Sequence, residues 1–211
     1  MIRRSLFGFV LAFLPTGLAH AQVTFTAILE KATVPSICQE ETHVVACNGT
    51  KLKSTTLDLN GYLGKPYRFT AVPAGVTCLI WNVTSVGPAE ATLTHCGSAV
   101  PGCPMRLVVG PTGPLGQWFL WYSTTSAFQP LDPVSGTLML GPPYLFAGTG
   151  YSAGTSTSFD FVMPSLPALV GLEIFAQGAN MAIGPAGPLH LSNPTCFSIL
   201  PPMPPCIQPG C

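Results

Sequence analysis

From Thr42 to Ile199 apolar and polar residues alternate in short runs of period two, and no window repeats apolar residues at helical spacing. THVVACNGTKLKS, Thr42 to Ser54, carries β-formers around a central Asn48-Gly49 that turns or bulges. LDLNGYLGK, Leu57 to Lys65, has room for one helical turn or a loop ending at Gly64. YRFTAV, Tyr67 to Val72, passes through the tight turn Pro73-Ala74-Gly75 into VTCLIWNVTSV, Val76 to Val86, and the two read as a hairpin. Further strands are predicted at Ala91–Gly97, Pro104–Gly110, Gly116–Thr125, Gly136–Gly141, Tyr144–Gly148, Ser156–Pro164, Leu169–Ala179 and Leu189–Ile199. Their spacing is close to the 8 to 12 residues expected of a sandwich or barrel.

Two of these runs fix a register. In LVGLEIFAQGA, Leu169, Gly171, Glu173, Phe175 and Gln177 share one face, while Val170, Leu172, Ile174 and Ala176 form a wholly apolar face predicted to point inward. In SFDFV and its flank, Phe159, Phe161 and Met163 point inward and Asp160 points out. Both faces of GQWFLWYSTT are apolar or aromatic, which suits a central strand covered on both sides; Trp118, Trp121 and Tyr122 are alternatively a sugar-stacking platform.

The start of the chain is of another kind. Arg3 and Arg4 precede the apolar run LFGFVLAFL, Leu6 to Leu14, and Ala19-His20-Ala21 is a small-x-small cleavage site, so residues 1–21 read as a signal peptide. The run is too short to span a bilayer, no Cys follows the cleavage point to take a lipid, and no later stretch reaches about 18 uninterrupted apolar residues. The mature protein is expected to be secreted, periplasmic or at the cell surface, without a transmembrane segment.

Composition narrows the class. Of eight basic and eight acidic residues, Arg3 and Arg4 leave with the leader, so the mature chain has six against eight and a net charge of −2. Only Lys51 with Lys53 and Lys65 with Arg68 come close together, so no basic stripe exists to bind nucleic acid. Charged residues make up 8%, against roughly 25% in an average domain, so the surface must be built from Ser, Thr, Asn, Gly and Pro. The 22 Gly and 23 Pro interrupt helices and supply turns. Up to about Val86 the chain carries most of its charge; after Gly87-Pro88 it turns apolar and Pro-rich. The expected organisation is a small barrel domain at residues 22–87, a β-sandwich domain at 88–200, and a Pro/Cys-rich tail at 201–211.

Eight cysteines in an exported chain are disulfide material. Cys96 and Cys103 flank GSAVPG, and Cys206 and Cys211 flank IQPG; each pair is expected to form a local clamp contributing about 2 to 3 kcal/mol. Of Cys38, Cys47, Cys78 and Cys196, the strand with Cys47 or the loop with Cys38 is expected to bond the hairpin strand with Cys78, and Cys196 can reach the C-terminal tail. There is no C-x-x-C, and His95 beside Cys96 is an isolated pair, so no metal site is expected.

Catalytic motifs are missing: no G-x-S-x-G, H-E-x-x-H, P-loop or dinucleotide glycine fingerprint occurs. His43, His95 and His190 are far apart, and nothing selects one of them with Asp58, Asp132 or Asp160 and a serine as a triad. Asp160 and Glu173 lie on neighbouring predicted strands and can be imagined as a glycosidase pair. The alternation of Asp160 with Phe159 and Phe161 instead marks it as an outward polar position. No catalytic, cofactor or metal residue is therefore assigned.

Two resemblances follow from particular stretches. ATLTHCGSAVPGCPMRLVVGPTGPLGQWFLWYS, FQPLDPVSGTLMLGPP and SLPALVGLEIFAQGANMAIGPAGPLHLSNPTCFSI resemble the β-rich modules of secreted hypothetical proteins of planctomycete bacteria. The shared pattern is a Pro-rich lead, a Leu-Val-Gly-Leu strand, a Gln beside a small residue, and a closing Leu-Ser-Asn; the tail after Ile199 departs from it. The family brings no activity with it. TLDLNGYLGKPYRFTAVPAGVTCLIWNVTSV is similar to small OB-like barrels of exported bacterial modules, a fold whose loops bind nucleic acid, sugars or proteins. The expected fold is thus all-β, an OB-like barrel followed by an antiparallel sandwich of immunoglobulin, fibronectin or jelly-roll type. The expected function is a non-enzymatic structural, adhesive or binding module, with an extracellular protein or glycan as partner. The alternative is an extracellular hydrolase acting on polymer, with a site assembled only in the fold.

Overall fold

The computed structural model describes residues 22–33, 41–75, 78–110, 116–152, 155–182, 189–202 and 206; residues 1–21, expected as a signal peptide, and Cys38 and Cys211 lie outside them. The fold is all-β, with fifteen strands and two short 3-10 turns among the described residues. Five strands, β1 (Val23–Lys31), β2 (His43–Val45), β3 (Lys51–Lys53), β4 (Pro66–Pro73) and β5 (Trp81–Pro88), close into a barrel in the order β1-β2-β3-β5-β4. Every pair in it is antiparallel except β3 with β5.

Period-two patterning fills this barrel. Val23, Phe25, Ala27 and Leu29 of β1 meet Val45, Leu52, Phe69, Ala71 and Val83 in one buried cluster. The β2–β3 turn is built by Asn48, whose Oδ1 accepts from the Thr50 amide, with Cys47 and Gly49 at φ 74° and 67°. Leu57–Lys65 contains the predicted single turn, Leu59–Tyr62, capped by Asp58 accepting from the Asn60 amide, and Leu59 enters the barrel core. The predicted hairpin is present as β4 and β5, but β5 begins at Trp81.

Beyond the barrel lie three further sheets. β6 (Leu93–Cys96), β7 (Pro104–Val109) and β12 (Thr157–Val162) form one in the order β12-β7-β6. β8 (Gly116–Ser123), β11 (Leu145–Ser152), β13 (Glu173–Ala182) and β14 (Leu189–Leu191) form a second in the order β11-β8-β13-β14, and β15 (Thr195–Ser198) also pairs with β13. These two sheets share a second apolar cluster, with Leu93, Met105, Leu107 and Val109 on one side and Trp118, Leu120, Ile174 and Ala176 on the other. A separate hairpin, β9 (Ser126–Asp132) and β10 (Gly136–Leu140), packs on the barrel instead, its Met139 and Phe128 joining the barrel's core.

Four strand expectations change. β1 and β9 were not predicted; β1 alternates well but follows directly on residues 1–21, and β9 is mostly exposed and contains Pro130. Pro167–Leu169 is a 3-10 turn, followed by a turn at Val170-Gly171 with Gly171 at φ 82°, so the strand starts only at Glu173. Leu189–Ile199 is split into β14 and β15, because Pro194 has no amide to donate and Asn193 turns its side chain across to β6. The predicted inward set holds for Ile174 and Ala176, but Phe175 and Gln177 are buried too. Their face of β13 is covered by the β9–β10 hairpin, since the Met139 amide donates to Gln177 Oε1 at 2.8 Å.

Both local disulfides are overturned. Cys103 bonds Cys206 and Cys47 bonds Cys196, closing separations of 103 and 149 residues. The Cys96–Cys103 loop is instead held by main-chain bonds, and the Leu200 amide donating to Ala99 O at 2.8 Å brings the chain's end beside Cys103. Cys47 therefore does not bond Cys78; it ties the barrel's β2–β3 turn to β15. Cys78 and Cys96 are disulfide-bonded as well.

Candidate functional site

Buried polar side chains act here as cross-ties between strands. Gln177 Nε2 donates to Thr137 O at 3.1 Å and Ser192 O at 2.8 Å while its Oε1 takes the Met139 amide, so one side chain joins β13, β10 and the segment after β14. Ser192 Oγ accepts from the Gly178 amide and donates to Asn193 O. Asn193 accepts from the Leu93 amide and donates to Leu93 O, pairing with β6 as a strand would. The Gln and Leu-Ser-Asn singled out in the sequence are thus structural pins.

The titratable residues are mostly dispersed. His43 is buried at the barrel's end with Thr42 Oγ1 2.7 Å from its Nδ1, and burial and then Lys31 hold its pKa below the ordinary value. His95 on β6 lies 2.9 Å from Thr195 Oγ1 and against the Phe197 ring, and burial lowers it as well. Asp58 and Asp132 cap turns, and hydrogen bonds from Asn60 and Ser135 respectively keep their carboxyls below the usual range. Asp160 faces outward, opposite Arg106 in register, and that guanidinium lowers it by hydrogen bonding at 2.6 Å. Glu173 is exposed in the other sheet, so the imagined Asp160–Glu173 pair is not formed.

One cluster does converge. His190 Nδ1 lies 2.6 Å from Glu90 Oε2, Glu90 also pairs with Arg68, and Arg68 Nη2 donates to Pro133 O and Val134 O. The crevice beside them measures about 10 Å³, room for a single water and no substrate. It joins β4, the barrel exit, the β9–β10 turn and β14. Among the described residues no group of three or more His, Cys, Asp or Glu has the placement to hold a metal ion.

The concavity of useful size is apolar. A cleft of about 410 Å³ opens between the two sheets that share the second core, within the range of small-molecule pockets. Its floor is Met105, Leu107, Ile174, Ala176 and Ile199, all buried. Phe161, Met163, Tyr122, Ala147, Leu172 and Phe197 form half-buried walls, and Leu145 and Val162 stand exposed at its rim. Among the described residues no Asp, Glu, Lys, Arg or His lines it; Tyr122 and Thr124 are its polar lining residues.

β11 and β12, edge strands of the two sheets, both contribute to the cleft's lining. At one end a Cβ on Gly150 would lie 3.1 Å from Phe159 Cζ and one on Gly148 3.6 Å from Phe159 Cδ1, so bare glycine backbone lets that ring close the gap. Towards the start of β11 the β11–β8 register shifts between Phe146 and Gly148, beside the cleft-lining Leu145 and Ala147. The bulge and the two glycines were the available signals, and periodicity cannot read either. The predicted aromatics of β8 divide between its faces: Trp118 is core and Tyr122 lines the cleft, while on the opposite face Trp121 stacks on Phe119 at 5.8 Å with exposed Phe146 at 6.1 Å.

Comparison with known proteins finds no matching family model, no similar curated protein and no similar solved structure.

Proposed function

We propose that this chain is an exported, disulfide-stapled, non-enzymatic module that binds a partner at the envelope or outside the cell. The observation that carries this reading is the mismatch between chemistry and space. The cleft has no acid, base or nucleophile pair on its walls, while the convergent His190–Glu90–Arg68 group has no room beside it. We read the first half as an OB-type barrel, on its 1-2-3-5-4 strand order and parallel β3–β5 pair, and the second as a β-sandwich that begins near Gly87. The resemblance to exported planctomycete modules and four described disulfide-bonded cysteines with known partners fit an oxidising compartment. A glycan or protein partner would use the outward aromatic run Phe119, Trp121 and Phe146, whose rings offer stacking area on an open sheet face.

The test is a glycan and protein array probed with the oxidised protein, beside a panel of polymer hydrolysis assays. Retention on a defined partner that Trp121→Ala abolishes, with no turnover, is expected. Turnover of any polymer that Glu90→Gln or His190→Gln removes would establish the hydrolase instead.

A further inference from the structure

We infer that the cleft between β7–β12 and β8–β11–β13 holds one medium-length alkyl chain with an uncharged head group, as in a fatty alcohol, ester or neutral lipid. This rests on the proposed function only in that the bound chain leaves unaltered. Three observations point to that class. The volume, about 410 Å³, exceeds what side-chain packing leaves between sheets by chance, and its lining is aliphatic, aromatic and methionine throughout the floor. The cleft has a buried floor and the exposed Leu145 and Val162 in its lining, which suits a chain entering end-on past them. Charge complementarity decides the head group. With no cation on the lining, a carboxylate or phosphate drawn to the rim would lose water without a partner, whereas a hydroxyl or ester has the Tyr122 and Thr124 hydroxyls at hand.

The three arms of the test use the oxidised protein and calorimetric titration with straight 1-alkanols of increasing length, dodecanoate at pH 8 as the charged counterpart, and recovery of the ligand by mass spectrometry. Affinity is expected to rise about fourfold per methylene and then level off once the slot is full. Dodecanol should bind at least about tenfold tighter than dodecanoate, the equivalent of one unit of log affinity. Ala147→Phe fills the wall and should abolish binding. Leu145→Lys, at an exposed rim position that tolerates a long charged side chain, should reverse the preference towards dodecanoate, so the inference stays testable even if Ala147→Phe fails to fold. Affinity that ignores chain length, or a head-group preference that Leu145→Lys leaves unchanged, overturns the assignment. An alkyl ester that binds but is recovered as acid and alcohol would leave the cleft assigned and overturn the non-enzymatic reading.

Discussion

The barrel and the two-sheet region solve the same problem, burying apolar strand faces, with different degrees of closure. In the barrel every strand is hydrogen-bonded on both sides, so the ladder fixes the wall spacing, and Phe25 packs against Phe69 and Phe128 at 5.6 and 5.3 Å. In the second region two sheets face one another with only side chains between them. Where the Phe159 ring meets the glycines of β11 they touch; at the residues lining the cleft a space is left between them. A closed ladder enforces a filled core, whereas stacked sheets can keep an unfilled slot without breaking a main-chain bond. The open cleft therefore sits in the region whose closure is incomplete.

The largest contrast is expected from matched phenylalanine truncations. Phe25→Ala removes a fully buried ring from a core that cannot collapse and should cost about 3–5 kcal/mol. Phe161→Ala removes a half-buried ring that already borders the cleft and should cost about 1–2 kcal/mol. Denaturant midpoints give both values, and equal losses would mean that the cleft is filled in solution.

Next is the pin between the regions. Gln177→Ala strips a partner from the Met139 amide and from the Thr137 and Ser192 carbonyls at a buried site, costing about 2–4 kcal/mol. Because Met139 sits in the barrel core, its amide should exchange faster in the variant at unchanged global stability conditions. Unchanged exchange at Met139 would show that the hairpin is held by the barrel alone.

These two predictions also show what the sequence could and could not tell. Alternation found most strands, the single turn at Leu59–Tyr62 and the outward Asp160, because those depend on neighbours along the chain. Gln177 was assigned to the face opposite the apolar set, since period two cannot know that a hairpin from elsewhere covers that face. The disulfides failed for the same reason: short cysteine spacings suggested clamps, while the true partners meet through the Leu200–Ala99 contact and the packing of β15 near the β2–β3 turn. Of the cleft, only the lining residues' apolar character was legible. Its existence depends on how segments distant in sequence, from β7 to the chain after β15, come together, which no local pattern shows.

A smaller contrast lies within β13 itself. Ile174→Ala deepens the floor of an existing cleft and should cost about 2–3 kcal/mol, towards the low end for a buried isoleucine. Its neighbour Glu173→Ala, exposed at the strand's start, should stay within about 0.5 kcal/mol. The reverse order of midpoints would show that the register of this strand is wrong.

The smallest effect tests whether the two regions unfold as one. His43 in the barrel and His95 in the sheets both have pKa values lowered by burial from an ordinary 6.5. The unfolded chain therefore takes up these protons first as pH falls. Their stabilising contribution is fully present above about 6.5 and declines as pH drops through that value towards the folded pKa. The lowered carboxylates Asp58, Asp132 and Asp160 have the same sign but act from their ordinary 3.8 downward, so they do not interfere between pH 7 and 5. His43→Gln and His95→Gln each remove one titration. If Cys47–Cys196, Gln177 and the Thr137–Thr24 bond make the regions one cooperative unit, either substitution should flatten the acid slope of a single transition seen by every probe. If the regions are independent, denaturant melts should split in two, with His43→Gln altering only the barrel's transition and His95→Gln only that of the sheets. The first outcome is expected, because a covalent link and a buried hydrogen-bond network both cross the boundary.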